Sequence, residues 1–130
     1  MIVVDASALL EVLLNSPAAD QVAQRLFAVG ETLHAPHLID LEVAQVLRRY
    51  AASSELNPAR GVEVLEDLAD LPMMRYPHDL FLLRIWELRH NVTAYDAVYL
   101  ALAEALGAPL VTRDAALASV RGHTAHVELV

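Results

Sequence analysis

The sequence predicts an α/β fold: one domain with a short central parallel β-sheet flanked by helices on both faces. Three observations carry that expectation. Short β-branched or apolar runs alternate with stretches of helical spacing along the whole chain. No Asn-Gly or Asp-Gly pair marks a tight hairpin. The length of 130 residues suits one domain, residues 1–130, with one core.

Taken in order, Ile2 to Val4 form a β-branched run that ends at Asp5, and the following Ala8-Leu-Leu-Glu-Val-Leu-Leu-Asn15 changes to helical spacing. Pro17 and Ala18 open a second helix expected to reach Val29, with Gly30 as its stop. Leu33 to Ala35 is a short strand before Pro36, and His37 to about Ala52 is a helix with Leu38, Leu41, Val46 and Leu47 on its apolar face. Asn57-Pro58 is a cap followed by proline at the first helical position, starting a helix to about Ala69. Pro72 to Tyr76 is a strand candidate and His78 to Arg89 is helical. Thr93 caps a helix from Ala94 to Leu106 that Gly107 and Pro109 end. Leu110 to Thr112 is a buried strand, Asp114 to Val120 a short helix, and Ala125 to Leu129 a last strand.

Composition narrows the function. Hydrophobic residues make up 56% of the chain, against four glycines and six prolines, which excludes disordered and linker-rich classes. Cysteine is absent, removing disulfides, thiolate nucleophiles and Cys-based zinc sites, in keeping with a reducing, cytoplasmic setting. The amino terminus lacks a basic leader, and no apolar run reaches the roughly 18 residues that span a bilayer, so no membrane association is expected. A formal charge of −8 argues against a general nucleic-acid coating protein. It leaves room for a nuclease, because clustered carboxylates contribute negative charge that a divalent cation can invert locally. All nine cationic side chains are arginine, so the chain offers no lysine amine for catalysis.

The acids carry the chemistry. Asp5 and Asp114 each follow a predicted strand and would project from the same rim of a parallel sheet, where ligands bind. Each also has an ordinary role as a helix N-cap. Asp96 lies in an apolar helix, and Thr93-Ala94-Tyr95-Asp96 has the form of a capping box. Glu42 sits inside a helix where no cap role exists; its plain reading is a solvated position or an ion pair with Arg48 or Arg49. Burying several carboxylates together raises their pKa values unless a cation compensates. All-oxygen ligands suit Mg²⁺, or Mn²⁺ as a substitute, and the chemistry that follows is phosphodiester hydrolysis.

At these residues the sequence resembles a known family. Val3 to Leu9 (VVDASAL), Leu41-Glu42-Val43 and Tyr95 to Asp114 (YDAVYLALAEALGAPLVTRD), in that order and separation, are similar to the PIN domain, and especially to the VapC ribonuclease toxins of toxin–antitoxin pairs. The resemblance implies a PIN-like fold and an Mg²⁺-dependent endoribonuclease whose metal-binding catalytic set is Asp5, Glu42, Asp96 and Asp114. Asp5 and Asp96 are its firmest ligands, with Asp114 acting mainly through water. It also implies hydroxyl positions at Ser7 and Thr112 that orient the carboxylates. Arg113 is a candidate contact to substrate phosphate, or an ordinary partner of a neighbouring acid. The resemblance further implies a VapB-like antitoxin whose carboxy-terminal segment lays a basic side chain in the acidic site, and a homodimer. Leu9, Leu13, Leu14, Leu26, Phe27 and Tyr50 are groove candidates, with core packing the plainer reading for most. Leu82 and Trp86, one turn apart, are divided between core and dimer interface.

Other features have modest readings. The pairs His34/His37 and His123/His126 lack the local signature of a zinc site and are expected in loops and at the surface. Met73-Met74 reads as core filling, and Glu63, Glu66, Asp67 and Asp70 as a solvated helix face. Two competing functions share the acids: a DNA nuclease or phosphatase, and a non-catalytic Mg²⁺-binding interaction module. The absence of lysine weakens the receiver-like and haloacid-dehalogenase-like versions of these.

Overall fold

All five strands lie parallel in one sheet, in the computed structural model that describes residues 1–130. The chain begins with β1 (Ile2–Val4), α1 (Ala6–Leu13) and α2 (Ala19–Leu26), and continues through β2 (Leu33–Pro36), α3 (Leu38–Ala52) and α4 (Pro58–Asp70) to β3 (Met73–Tyr76). A single 3-10 turn (Asp79–Phe81) leads into α5 (Leu82–Glu87); α6 (Ala94–Leu106), β4 (Leu110–Thr112), α7 (Ala115–Ala118) and β5 (Val127–Leu129) follow. The strand order is β3-β2-β1-β4-β5.

That order also sorts the helices. Steps from β1 through β2 to β3 move one way across the sheet, and the return to β4 and β5 moves the other way. Right-handed crossovers therefore put α1 to α4 on one face and α5 to α7 on the opposite one. The packing agrees, since α1 contacts α2, α3 and α4 while α5 contacts α6. The central strands are consequently buried on both faces: Ile2, Val3, Val4, Leu110 and Val111 have no exposed surface. Tyr99, Leu100 and Leu102 of α6 are buried among them. Gly107 ends α6 in the left-handed region, at φ +60°, and its N–H returns to the carbonyls of Ala103 and Glu104. No helix is long and apolar enough to cross a membrane.

Several expectations fail in detail, each for a local reason. The second helix stops at Leu26 instead of Val29, because Phe27 and Val29 have no core to enter and stand exposed. The region from His78 to Arg89 divides into the 3-10 turn and a short α5 that ends at Glu87. Leu82 and Trp86 face solvent at 57% and 66% exposure, so their core reading is wrong. Met74 is exposed on β3, at the edge of the sheet, whereas Met73 packs on the core. His34 is not a loop residue: it is buried in β2, bonded to Thr32 and to the Tyr76 hydroxyl, and burial lowers its pKa.

Ion pairs fasten the periphery. Arg25 on α2 bridges Glu128 on β5 and Glu31. Arg84 on α5 reaches Glu104 on α6, Glu87 and the Gly122 carbonyl. The Arg84 guanidinium, helped by the Thr124 N–H and hydroxyl, holds the Glu104 carboxyl down at about 2, against an ordinary 4.5. A carboxylate held below its unfolded value stabilises the fold above pH 4.5 and loses that contribution as the pH falls towards 2. Glu104→Gln should therefore lower the melting temperature at neutral pH by a few degrees, ~1 kcal/mol. The gap from wild type should narrow in thermal melts between pH 4.5 and pH 2.

Candidate active site

Strand order decides where a ligand can sit. β1 and β4 are neighbours whose crossovers leave in opposite directions, and a crevice opens beyond their carboxyl ends. Asp5 follows β1 directly, and Asp114 follows β4 after Arg113. α3 leaves β2 at this same edge, so Glu42, in its second turn, lies there too. α6 runs back across the sheet to feed β4 and so begins at the edge, with Asp96 in its first turn. The four carboxylates line one open cleft of about 1160 Å³. The N-termini of α1, α3, α6 and α7 point towards it, and their partial positive charge favours anionic groups.

Asp5 is the anchored member, with 7% of its surface exposed. Its Oδ1 accepts from the Ser7 hydroxyl at 2.7 Å and from the Ala8 N–H at 3.2 Å, and its Oδ2 accepts from the Thr112 hydroxyl at 2.8 Å. Both hydroxyl oxygens accept in turn, Ser7 from the Arg113 N–H at 2.9 Å and Thr112 from the Asp114 N–H at 2.9 Å. One web thus joins the ends of β1 and β4. Asp114 caps α7 by accepting from the Ala116 N–H at 2.9 Å. Cap and cleft roles coexist in both aspartates.

Across the cleft, the buried Tyr99 donates its phenol proton to Glu42 Oε1 at 2.5 Å. Glu42 is half-buried and pairs with neither Arg48 nor Arg49, because Tyr99 holds it at the cleft. Half of the expected capping box forms: Thr93 Oγ1 accepts from the Asp96 N–H at 3.3 Å. The Asp96 carboxylate makes no reciprocal bond and is left free towards the cleft, where the N-terminus of α6 meets the other acids.

Burial raises the pKa of Asp5, and the Asp114 charge adds to the rise while the Ser7, Thr112 and Ala8 bonds oppose it. Burial likewise raises Glu42, with repulsion from Asp5 and Asp96 on top and the Tyr99 bond acting against it. Asp96 is raised by burial and by Asp114. Burial and the neighbouring carboxylates push the Tyr99 phenol up, keeping it a proton donor. No arginine pairs with any of the four acids; Arg113 is drawn away to Glu11 at 3.7 Å and the Val130 carbonyl at 2.8 Å.

This oxygen-only set fits a hard divalent cation. The fit is loose, because no three carboxylates are gathered closely enough to enclose an ion as they stand. That spacing suits an ion that keeps several of its waters.

A sequence model of the PIN domain matches residues 2–122. The chain belongs to the PIN-domain family. Among its relatives, "Ribonuclease VapC12" of Mycobacterium tuberculosis is 43% identical over 130 residues, covering 100% of this chain and 99% of that protein. "VapC ribonuclease Mb0985" of Mycobacterium bovis is 51% identical over 114 residues, 88% of this chain and 86% of that one. The crystal structure of PAE2754 from Pyrobaculum aerophilum superimposes with a TM-score of 0.70 at 26% identity, covering 97% of this chain and 81% of the other. VapC20 of Mycobacterium tuberculosis, a sarcin-ricin loop cleaving toxin, matches in fold with a TM-score of 0.68 at 17% identity.

Within this PIN domain the residues predicted from sequence fall into two groups. Asp5, Ser7, Glu42, Asp96, Arg113 and Asp114 all line the cleft, and Thr112 lies buried beneath it. The six groove candidates scatter. Leu14 and Tyr50 line the cleft, but Leu9, Leu13 and Leu26 are spent in the core and Phe27 is exposed. Tyr99 is the functional residue that sequence reasoning missed. Its signal was its place three residues after Asp96 on one helix face, since a buried phenol needs an acceptor.

Because the Asp96 carboxylate repels its neighbours and accepts no hydrogen bond, an amide should be better tolerated there than the acid. In metal-free buffer at neutral pH, Asp96→Asn should raise the stability by on the order of 1 kcal/mol, read as a higher melting temperature. A lower melting temperature would show that the acid is held by contacts other than those described.

Proposed function

We propose that this PIN domain is the ribonuclease toxin of a VapBC-type toxin–antitoxin pair, hydrolysing RNA phosphodiesters at the acidic cleft with Mg²⁺, or Mn²⁺ in its place. One observation carries the reading. Four carboxylates from four separate elements converge on the strand-order switch with no arginine paired to any of them, in a chain closely similar to VapC ribonucleases.

Asp5 and Asp96 are the principal metal ligands, with Glu42 beside them and Asp114 acting through water. Bound there, a divalent cation supplies Lewis-acid activation of water and neutralises charge developing on the phosphate. The chain's own contribution is preorganisation. Ser7 and Thr112 fix the Asp5 carboxylate with two hydroxyl protons, and Tyr99 keeps Glu42 turned into the cleft. The same Ser7 and Thr112 oxygens hold the backbone that carries Asp114.

Partners follow from the surfaces. Leu10, Leu14, Leu41, Val46 and Tyr50 form an apolar wall continuous with the acids, suited to a VapB-like antitoxin segment that ends in a basic side chain. Leu80, Leu82, Leu83 and Trp86 stand exposed together around α5, and a second copy of the chain covers them in a homodimer. Acting on RNA under a partner's restraint, the protein works in the cytoplasm.

Purified protein offered a panel of RNA and DNA should cut RNA in Mg²⁺ or Mn²⁺ and not in EDTA. Asp5→Asn and Asp96→Asn should each reduce the rate by more than about 100-fold, and Ser7→Ala and Thr112→Val by about 10–100-fold. Cleavage that persists in both aspartate variants would sink the reading. For the dimer, Trp86→Asp should shift the sedimentation coefficient from that of two chains to that of one; an unchanged coefficient would reject this interface.

A further inference from the structure

The arginines of this acidic chain are unevenly employed. Arg25, Arg60, Arg75, Arg84 and Arg113 each hold an acid. Arg89 lies over the Trp86 ring at 4.5 Å and donates to the Trp86 carbonyl, and Arg121 is exposed and unpaired but does not line the cleft. Three arginines line the acidic cleft, and once Arg113 is set aside in its pair with Glu11, Arg48 and Arg49 remain. Both are exposed, and neither makes an ion pair or a hydrogen bond within the chain.

Their position gives them direction. Glu42, Gln45 and Arg49 follow one another at i, i+3 and i+7 along α3, and Arg48 borders the same stripe. From Glu42 to Arg49 the helix rises about 10 Å. That rise sets both arginines back from the carboxylates, on the side where a neighbouring phosphate of the same strand would pass. Arg49 also lies in the last turn of α3, where the helix dipole welcomes a cation. The dipole accounts for one cation at a helix end; it does not account for two adjacent arginines left without acids in a chain where Asp and Glu outnumber Arg by 17 to 9.

Resting on the ribonuclease reading above, we infer that Arg48 and Arg49 form a phosphate-binding strip that holds the RNA backbone on one side of the scissile bond. The chain as a whole, with its charge of −8, repels a polyanion. Beyond the helix N-termini and the cation at the acids, Arg48 and Arg49 are the two unpaired cationic side chains that line the cleft, and their guanidinium groups suit phosphate oxygens. Contacts to phosphate position the strand and carry no base preference, so the strip sets affinity without setting the cleavage sequence.

The test uses the full chain and a fluorescent mixed-sequence oligoribonucleotide. Binding is followed by anisotropy on the Asp96→Asn protein, which retains the arginines and does not cut, and cleavage on otherwise wild-type protein. Arg48→Gln and Arg49→Gln should each flatten the slope of log affinity against log salt by about 0.7, the value for one phosphate contact on a single strand. The double variant should raise KM by about 10-fold or more with kcat within about twofold, equally for oligonucleotides of different sequence. Arg48→Lys and Arg49→Lys, which keep the charge, should restore the slope even if the glutamine variants are less stable. An unchanged salt slope and KM in the double glutamine variant would overturn the inference and assign the arginines to acidic residues of a protein partner. Failure of wild-type protein to cut any RNA would overturn the ribonuclease reading instead, and the binding arm would still decide the strip.

Discussion

The hydrogen-bond web on the Asp5 carboxylate is the constraint on which the rest of the site depends. β1 is three residues long, and its first residue past the sheet is an acid buried at the join with β4. An unsatisfied carboxylate there would cost several kcal/mol. Ser7, Thr112 and the α1 N-terminus satisfy it, and the two hydroxyls then use their lone pairs to hold Arg113 and Asp114 by their backbone N–H groups. One buried acid therefore fixes the geometry of the loop that carries a second acid. The arrangement is local in space although its ends lie more than a hundred residues apart in sequence.

The price of this construction is electrostatic. Asp5, Glu42 and Asp96 are all harder to ionise than free carboxylates, first because they are buried and then because they repel one another: Asp114 acts on Asp5 and on Asp96, and Asp5 and Asp96 act on Glu42. At the periphery the opposite holds, since Glu31, Glu104 and Glu128 are each stabilised as anions by a cation. The protein thus uses Arg25, Arg75 and Arg84 to join elements and pairs no arginine with the four acids of the cleft. Four helix N-termini soften the repulsion there without cancelling it. Strain concentrated in one place while the remainder is well paired is the pattern of a site kept for a ligand.

How much of this the sequence revealed depended on the range of the interactions. Asp5 and Asp114 were legible because a strand end followed by a helix start is a local signal, and the cap that made them ordinary also put them at the rim. Asp96 was legible as an acid in an apolar helix, although only one of its two expected cap bonds forms. The orientation of Glu42 was not legible, because its partner Tyr99 lies 57 residues away and the two meet only once α3 and α6 have packed on the sheet. Strand order, which brings β1 beside β4, is likewise a property of the crossovers and not of any segment. Trp86 misled for a related reason. Its spacing with Leu82 suits burial, but α5 is a single short helix on the outer face with no further layer above it.

Central to the proposed function is the completion of the four-acid site by a divalent cation. It is tested most directly by thermal unfolding of the purified protein against rising Mg²⁺ or Mn²⁺, beside Asp5→Asn and Asp96→Asn. Selective binding to the folded state should raise the wild-type melting temperature with metal concentration, by about 2.7 kcal/mol of stability at a hundredfold excess over Kd. The two variants should show little or no rise. A wild-type curve that stays flat, or variants that rise in parallel with it, would contradict the account.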